Sequence, residues 1–296
     1  MKIIVTGGLG FIGSSVIRNL INKDDVQILN IDKSTYAANP EYLNFLNNND
    51  KYIFQHGDIA DKELIETLLK DFKPEVIMNL AAETHVDRSI NNPTKFIHTN
   101  IIGTFNLLEC TRNYLKSGST NVPQNFRFHH ISTDEVFGSL GQTGLFNEFS
   151  KYKPSSPYSA SKASSDHLVR AWAKTFDLEY IITNCSNNYG QFQHPEKLIP
   201  TIITSAISDK NIPIYGNGLQ KRDWLHVNDH VTALELISKK GKRMETYLIG
   251  GGNHLTNLSV VKKICGILDK TKKIKKENSF SDLISYVQDR PGHDTS

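Results

Sequence analysis

The sequence predicts an α/β protein with a doubly wound parallel sheet and a smaller, interlocked C-terminal domain. Residues 2–6 (KIIVT) form a short β-branched run, typical of a strand that is buried on both faces. Gly7, Gly10 and Gly13 follow at GxxGxxG spacing, and a helical segment then continues to Ile21. Apolar strand-like runs alternate with amphipathic helical segments after that. This combination is typical of a Rossmann-like fold.

The glycine-rich turn predicts a binding site for a dinucleotide pyrophosphate. Its three glycines allow a tight turn, a close approach of the backbone to the phosphates and close packing of the helix on the strand. The N-terminus of the following helix faces the anion, and Phe11 and Ile12 belong to this predicted site.

Asp32 ends the second predicted strand, residues 26–31, and lies nineteen residues after Gly13. An acidic side chain at this place binds the ribose hydroxyls, and its charge would repel a 2′-phosphate. We therefore predict NAD as the cofactor. Lys33 leaves NADP open as the alternative, because its ammonium group could meet that phosphate.

The next predicted elements continue the alternation of strands and helices. Asp61 is a good N-cap for an amphipathic helix, and Ser156 with Pro157 begins another. A composition rich in asparagine predicts a loop with one short helix at residues 36–50. The other predictions are strands at residues 52–55, 75–79 and 178–183, a strand ending near Ile131, and helices at residues 93–115 and 156–176.

Two short segments carry the predicted chemistry, residues 131–138 (ISTDEVFG) and residues 158–162 (YSASK). The first is a strand end that opens into a loop, where ligands sit in open parallel sheets. Tyr158 and Lys162 lie on one helical face because they are four residues apart, and the lysine ammonium favours the tyrosine phenolate. Lowering a tyrosine pKa from about 10 towards about 7 needs roughly 4 kcal/mol, which the lysine and a cationic nicotinamide ring would supply.

These motifs carry a resemblance to a known family. The glycine-rich start together with Thr133 and the Tyr158-x3-Lys162 pair resembles the extended short-chain dehydrogenase/reductase family. Asp134 and Glu135, directly after Thr133, resemble the sugar-nucleotide 4,6-dehydratase branch of that family. The implied reaction is the NAD-dependent conversion of dTDP-glucose or UDP-glucose to the 4-keto-6-deoxy sugar nucleotide, and the sequence leaves the choice of base open.

The resemblance also implies catalytic roles. Tyr158 takes the proton of the C4 hydroxyl, which Thr133 holds, while hydride moves to NAD. Glu135 then removes the C5 proton, and a protonated Asp134 donates to the departing C6 hydroxyl before hydride returns to C6. Two adjacent carboxylates resist double ionisation, so their environments must separate their pKa values.

The resemblance implies further binding residues. His85, in the same segment, suggests a catalytic role, but we interpret it as a supporting or structural residue because the acid and base roles are already filled. The implied cofactor residues, besides those above, are Ser34, Thr35, Asp58, Ile59, Leu80, Ala81, Ala82, Thr99 and Asn188, with Tyr158 and Lys162. The implied substrate residues are Thr84, Asn187, Lys197, Leu198, Pro213, Tyr215, Arg222, Asn257 and Arg290, with Thr133, Asp134 and Glu135.

The sequence departs from the family pattern in three places. Phe137 and the pair Gln191-Phe192 replace a usual tyrosine and a usual Pro-Tyr, and we expect both changes to be tolerated. Relatives continue beyond the position of Ser296. Alternative functions are a sugar-nucleotide 4-epimerase or decarboxylase, which the acidic pair argues against, and a catalytically silent NAD-binding regulator, which the intact motifs argue against.

Composition sets the remaining expectations. A net charge of +3 gives no argument for a nucleic-acid or membrane partner, and the three widely spaced cysteines predict neither disulfides nor a metal site. An N-terminus that enters a strand at once predicts no signal peptide, so we expect a cytoplasmic protein. The family resemblance and the length of the helices at 93–115 and 156–176 imply a homodimer through these helices. The predicted domains are an NAD-binding Rossmann domain at residues 1–185 and, as the resemblance implies, a substrate-binding domain for the sugar nucleotide at residues 186–296, with part of 227–256 returning to the first.

Overall fold

The computed structural model describes residues 1–116, 123, 125–140, 144–271 and 279–289. Its strands are β1 (Lys2–Thr6), β2 (Gln27–Asp32), β3 (Tyr52–His56), β4 (Val76–Asn79), β5 (Arg127–Thr133), β6 (Tyr180–Cys185), β7 (Asn187–Tyr189), β8 (Ile212–Tyr215), β9 (Lys221–His226), β10 (Glu245–Ile249), β11 (His254–Thr256) and β12 (Ile284–Val287). Its α-helices are α1 (Phe11–Leu20), α2 (Lys62–Phe72), α3 (Val86–Asn91), α4 (Pro93–Phe96), α5 (Thr104–Lys116), α6 (Pro157–Phe176), α7 (Leu198–Ile207), α8 (Val227–Lys240) and α9 (Asn257–Thr271).

A seven-stranded parallel sheet with the order β10-β6-β5-β4-β1-β2-β3 organises the molecule. The strand order reverses between β1 and β4, which is the switch point where open parallel sheets bind ligands. One apolar cluster covers each face of the sheet, the first packed on α1 and α8 and the second on α2, α5 and α6. The predicted doubly wound fold is therefore confirmed.

A smaller unit follows β6 and has its own apolar core. It contains a three-stranded sheet of the order β11-β9-β7 and a pair formed by β8 and β12. Its core includes Ile202, Trp224, Val261 and Phe280. The chain crosses back between the units, because β10 pairs with β6 of the large sheet and Val231 of α8 packs in the first cluster. The division of the chain at residue 185 remains a prediction.

The predicted long helix over residues 93–115 contains an irregularity. It begins as α4 and ends as α5, but residues Ile97–Gly103 between them form a π-helix. π-Helical turns are frequent at functional sites because the extra residue redirects side chains. Thr99 and Asn100 of this turn are both buried.

Local rules set the start of α6, which carries the predicted Tyr158-Lys162 pair. Ser156 is the N-cap, and Pro157 occupies the first helical position. The Ser156 and Ser159 side chains bind each other's backbone in a capping box. The predicted helix is thus observed with its predicted beginning.

Phe137, one of the departures from the family pattern, is buried in an aromatic group. Its ring lies 5.1 Å from the Phe146 ring and 5.2 Å from the Tyr152 ring, measured between centroids. A phenylalanine ring, whose edge carries no hydroxyl group, suits this apolar environment.

No helix within the described ranges is both long and apolar enough to cross a bilayer. The same residues contain no cluster of three or more His, Cys, Asp or Glu side chains that could hold a metal ion.

Candidate active site

A cavity of about 300 Å³ lies along the C-terminal edge of the large sheet. It extends from the glycine-rich turn after β1 to the predicted catalytic block after β5. The predicted residues that line it are Gly7, Gly10, Phe11, Ile12, Gly13, Asp32, Lys33, Thr35, Asp58, Ile59, Leu80, Ala81, Ala82, Thr84, Thr99, Thr133, Asp134, Glu135, Tyr158, Lys162, Asn187, Asn188 and Lys197.

The glycine-rich turn needs its glycines for close packing. Gly7 has a positive φ of 71°, and a Cβ there would lie 2.8 Å from the Ala81 backbone. A Cβ on Gly13 would lie 2.2 Å from the Gly7 carbonyl oxygen. Gly10, the N-cap of α1, provides no side-chain cap, so the first N–H groups of the helix are available at the cavity wall. This cradle suits a pyrophosphate.

Asp32 is fixed where a ribose would bind. Its two carboxylate oxygens accept hydrogen bonds from Leu9 N at 2.9 Å and Ser34 N at 2.8 Å. Burial raises the pKa of Asp32 above its ordinary value, and these two bonds oppose that shift. The second lone pairs of the oxygens are suited to hydroxyl groups of a ligand.

Lys33 is engaged within the protein. Its Nζ donates to Thr99 Oγ1 at 2.6 Å and lies 3.3 Å from Asp58 Oδ2. An ammonium group held by a carboxylate is a weak partner for a 2′-phosphate, so this contact favours NAD over NADP.

Asn100 holds the segment after β4 in place. Its Oδ1 accepts from Glu83 N at 2.9 Å, and its Nδ2 donates to Glu83 O at 3.0 Å and to Ser161 Oγ at 2.8 Å. The side chain therefore ties the cavity wall at residues 80–84 to the catalytic helix α6. The buried side-chain amide of Asn100 thus provides hydrogen bonds for the backbone N–H and C=O of Glu83, which are not paired within a strand or a helix.

The predicted catalytic residues meet at the end of β5. Thr133 Oγ1 accepts from Glu135 N and donates to Asp134 Oδ1, both at 3.3 Å. The Thr133 side chain also hydrogen-bonds the Tyr158 phenol. Tyr158 and Lys162 are only 7% and 4% exposed. The cavity thus brings a phenol, a hydroxyl, an ammonium and two carboxyl groups to one place.

The electrostatics of Tyr158 differ from the expected direction. Burial and the charge of Glu135 raise the pKa of Tyr158 well above its ordinary value, and the Thr133 hydrogen bond opposes them. Lys162 Nζ donates to the Ile131 carbonyl oxygen at 2.9 Å. The residues of the chain alone therefore keep the phenol protonated, because burial costs the phenolate more than its neighbours return.

Asp134 has a raised pKa, as expected for a proton donor. Burial and the neighbouring charge of Glu135 raise the pKa of Asp134 to about 7, while Thr133 and Arg222 act to lower it. A carboxyl group with this pKa carries a proton at neutral pH about half of the time. Burial and the charge of Glu135 thus make Asp134 a candidate proton donor.

The second unit closes the cavity through β7. The side chain of Asn188 is directed into the protein, since its Oδ1 lies 2.8 Å from His230 Nδ1 and its Nδ2 donates to Ser186 O at 2.9 Å. Gln193 Nε2 donates to the Asn188 carbonyl at 2.8 Å. Asn187 and Asn188 thus form cavity wall on a rigid strand.

A strap, defined as residues 190–197, contributes four residues to the cavity lining and is held by Glu196. The Glu196 carboxylate accepts from Tyr36 OH at 3.1 Å and from Arg88 Nη2 at 3.3 Å. The Arg88 guanidinium lies 3.6 Å from the centre of the Tyr36 ring. Farther along, the Phe192 ring packs 4.8 Å from the Tyr42 ring and 4.4 Å from the Arg18 guanidinium.

His85 has the structural place that we expected. Its Nδ1 accepts from Arg88 N at 3.4 Å and caps α3, and its Nε2 lies 3.7 Å from Glu196 Oε2. Its side chain supports the strap and does not line the cavity.

Some predicted residues lie away from the cavity. Arg222, on β9, is near enough to lower the pKa of Asp134 but does not line the wall. The backbone N–H of Ser34 donates to the Asp32 carboxylate. Tyr215 is exposed on β8. The others that do not line the cavity are Leu198 at the start of α7, Pro213 on β8 and Asn257 at the start of α9. Arg290 lies outside the described residues.

Sequence reasoning missed several residues at the site. Asp166 on α6 is four residues after Lys162, and this spacing was an available signal. No local pattern marks the others, since they reach the cavity only through the fold. These are Glu83, Asn100, Cys185, Gln193, His194 and Glu196.

Comparison with known proteins identifies relatives along the whole chain. The GDP-mannose 4,6 dehydratase family matches residues 4–296. The chain is 52% identical over 303 residues to dTDP-glucose 4,6-dehydratase 1 of Escherichia coli K12, with 99% of this chain and 83% of that protein covered. It is 52% identical over 296 residues to dTDP-glucose 4,6-dehydratase of Neisseria meningitidis serogroup B, with the same coverage of 99% and 83%.

Solved structures show the same fold in two enzyme classes. The structure of Bacillus anthracis dTDP-glucose 4,6-dehydratase in complex with NAD aligns with a TM-score of 0.86 at 42% identity, covering 100% of this chain and 86% of that one. A Thermotoga maritima UDP-glucose 4-epimerase aligns with a TM-score of 0.84 at 27% identity, covering 99% and 87%. The fold alone therefore does not distinguish dehydration from epimerisation, and the acidic pair has to do so.

The raised pKa of Asp134 predicts a pH-dependent gain in stability on replacing it by asparagine. Between the unfolded pKa of about 3.9 and the folded value the folded protein binds more protons, so the parent loses stability as pH rises. Asp134→Asn removes that loss. We expect equal stability of parent and variant near pH 4 and a gain of roughly 2 kcal/mol above pH 7, discounted because solvent reaches the half-buried carboxyl.

Urea unfolding at several pH values measures this gain. Asp71→Asn, at an exposed position on α2, is the matched control and should change nothing. A stability difference for Asp134→Asn that is the same at all pH values would contradict the raised pKa.

Proposed function

The chain belongs to the GDP-mannose 4,6 dehydratase family, and from that premise we propose that it is an NAD-dependent dehydratase converting dTDP-glucose to its 4-keto-6-deoxy product. The observation that carries the proposal is the acidic pair beside the tyrosine. Asp134 and Glu135 line the same cavity as Tyr158, and Asp134 has a pKa of about 7. Simple oxidation of an alcohol needs no such pair, whereas elimination of water needs both an acid and a base.

The cavity suits NAD along its full length. The N-terminus of α1 provides the pyrophosphate cradle, Asp32 the ribose partner, and the Ala81–Ala82 wall leaves room for a ring close to the backbone. When bound, NAD supplies reversible storage of a hydride and a positively charged ring.

Tyr158 Oη is the proposed acceptor of the C4 hydroxyl proton. Thr133 Oγ1, which hydrogen-bonds this phenol, is placed to hold the same substrate oxygen. Lys162 stands four residues along α6 and contributes positive charge to the phenolate. Because the chain alone raises the pKa of Tyr158, the base becomes effective only when positive charge is added to the cavity.

Glu135 and Asp134 are the proposed base and acid of the elimination. Oxidation at C4 acidifies the C5 hydrogen, so a carboxylate at Glu135 is a sufficient base. The protonated Asp134 carboxyl then donates to the C6 hydroxyl, which leaves as water. Each oxygen-bound proton in this scheme has a donor or an acceptor among the residues that line the cavity.

Product formation from three nucleotide sugars tests the proposal. The protein is incubated with dTDP-glucose, UDP-glucose and GDP-mannose, and the 4-keto product is measured. We expect product from dTDP-glucose with the highest kcat/KM. Formation of a C4 epimer without loss of water would overturn the proposal in favour of an epimerase.

Isotope exchange separates the roles of the acidic pair. Glu135→Gln should abolish exchange of the C5 hydrogen with solvent deuterium, while oxidation at C4 stays detectable. Asp134→Asn should leave C5 proton removal possible and slow the loss of the C6 hydroxyl, by about 10²–10⁴-fold for a lost acid or base. Single-turnover kinetics with C5-deuterated substrate measures both, and parent-rate dehydration by Glu135→Gln would exclude the assignment.

Retention of NAD should depend on the strap. Glu196→Ala removes the carboxylate by which Tyr36 and Arg88 hold the strap at the cavity wall. Hydrogen bonds to a charged group contribute about 1.5–3 kcal/mol, so we expect bound NAD to leave at least roughly tenfold faster. Glu63→Ala, at an exposed position on α2, is the control. Cofactor release is followed by fluorescence, and parent-like release from Glu196→Ala would show that the strap does not retain NAD.

The surface of the π-helical turn and α5 supports a homodimer. Ile97, Ile102 and Phe105 are 45%, 45% and 40% exposed, and Phe105 packs at 5.6 Å against Trp172 of α6. An apolar patch shared by two helices is typical of a subunit interface. Ile102→Glu should therefore lower the sedimentation mass to that of a monomer, whereas Phe45→Glu, at an exposed site on another surface, should not. A parent protein that sediments as a monomer would refute the dimer.

A further inference from the structure

Asp166 is a fully buried carboxylate directly behind the candidate active site. It lies on α6 four residues after Lys162, so the two side chains share one face of the helix. Asp166 has no exposed surface and Lys162 has 4%. A buried carboxylate is costly unless hydrogen-bond donors and a cation compensate it.

Donors from three segments fix the Asp166 carboxylate. Its Oδ2 accepts from Ser132 Oγ at 2.9 Å, from Tyr152 OH at 2.7 Å and from Asn184 Nδ2 at 3.3 Å. Burial acts to raise the pKa of Asp166, but the contacts with His130, Lys162 and Tyr152 hold it below its ordinary value. The group is therefore ionised at neutral pH and needs a balancing charge.

His130 does not supply that charge. Asn79 Oδ1 accepts from Thr6 at 2.7 Å, so Asn79 Nδ2 faces His130 Nδ1 at 3.1 Å and donates to it. The ring proton is then on Nε2, which lies 3.2 Å from Ser165 Oγ and 3.3 Å from Asp166 Oδ1. Burial lowers the pKa of His130 to about 4, and the ring is neutral.

Arg170 is engaged elsewhere. Its Nη2 donates to Tyr152 OH at 2.8 Å and to Thr246 Oγ1 at 3.1 Å, so the Tyr152 hydroxyl lies between the guanidinium and Asp166. Tyr152 therefore orients the Asp166 carboxylate and separates it from the Arg170 guanidinium.

Lys162 is buried like Asp166, so its charged form likewise needs a charge of opposite sign nearby. Its Nζ donates to a neutral oxygen, the Ile131 carbonyl, at 2.9 Å. Burial lowers the pKa of Lys162, and Asp166 is the foremost group that opposes this shift. Cys185 also faces Lys162, but burial raises the pKa of that thiol to about 12 and it stays neutral. Tyr158, one turn earlier on α6, is protonated in the chain alone.

We propose that Asp166 is the buried counter-ion of Lys162 and thereby a positioning residue for proton transfer at Tyr158. The helix places the two charges on one face, and the donors from Ser132, Tyr152 and Asn184 hold the carboxylate in place there without a direct contact to the Lys162 ammonium. Asp166 keeps Lys162 charged, and the charged Lys162 stabilises the Tyr158 phenolate. The catalytic part of this inference rests on the proposed function, while the pairing of the two buried charges does not.

A double-mutant cycle on stability tests the pairing without substrate. The urea midpoint is measured for the full-length parent, Asp166→Asn, Lys162→Met and the double variant. We expect Asp166→Asn to lower the midpoint at least twice as much in the parent as in the Lys162→Met background. Equal falls in both backgrounds would overturn the pairing. Tyr152→Phe, which removes one hydrogen bond to Asp166 but no charge, should lower the midpoint equally in both.

Lys162→Met alone provides a second measurement, which decides the matter even if Asp166→Asn does not fold. Without its cation the ionised Asp166 is destabilised, so its folded pKa rises above the unfolded value and the variant loses stability as pH rises. We expect the midpoint deficit to be largest near neutral pH and to shrink as pH falls towards about 4, the ordinary range of an aspartate. A deficit that does not change with pH would refute a charge pair.

The catalytic consequence is measured in kcat. Asp166→Asn should lower kcat about 10²-fold and leave KM unchanged, because the substrate does not touch Asp166. A change confined to KM, or parent-level kcat, would overturn the positioning role. The unfolding cycle still decides the pairing if the parent forms no 4-keto product, which is the separate result that would refute the proposed function.

Discussion

The energetic cost of burying charge at the C-terminal edge of the sheet is the constraint on which the rest of this site depends. β5 pairs with β4 on one side and β6 on the other, so Thr133 comes to lie opposite Cys185 and His130 opposite Asn79. Polar groups this deep must be paired with one another. The result is a continuous set of contacts from Thr6 through Asn79 and His130 to Asp166. The predicted catalytic residues Thr133, Tyr158 and Lys162 lie on β5 and α6, the elements that carry His130 and Asp166.

Features set by local spacing could be predicted from the sequence. The glycine turn, Asp32 and the Tyr158-Lys162 pair depend on short segments whose geometry is fixed by a strand end or by one helical turn. The structure places these residues together on one cavity wall. The start of α6 was predictable for the same reason, since a capping box is a local interaction.

Features set by tertiary surroundings could not be predicted in this way. The direction of the Tyr158 pKa depends on burial and on Glu135, which is distant in the sequence, and the lysine four residues away does not decide it. The π-helical turn exists where Asn100 clamps Glu83, a contact across seventeen residues of separation. The strap is held by Tyr36 and Arg88, which reach Glu196 only through the fold.

One physical effect serves both halves of the proposed chemistry. The low polarity of the cavity keeps Asp134 protonated to about pH 7, so the proposed acid already carries the proton that it donates. The same burial keeps Tyr158 protonated, so the proposed base cannot accept a proton until positive charge is added to the cavity. The charge of Glu135 is among the effects that raise the pKa of Tyr158. A cationic ring would neutralise that charge and favour the phenolate at the same moment. In the proposed order the tyrosine acts first, with the cofactor present, and the carboxyl pair acts on the ketone that results, because oxidation at C4 is what acidifies the C5 hydrogen.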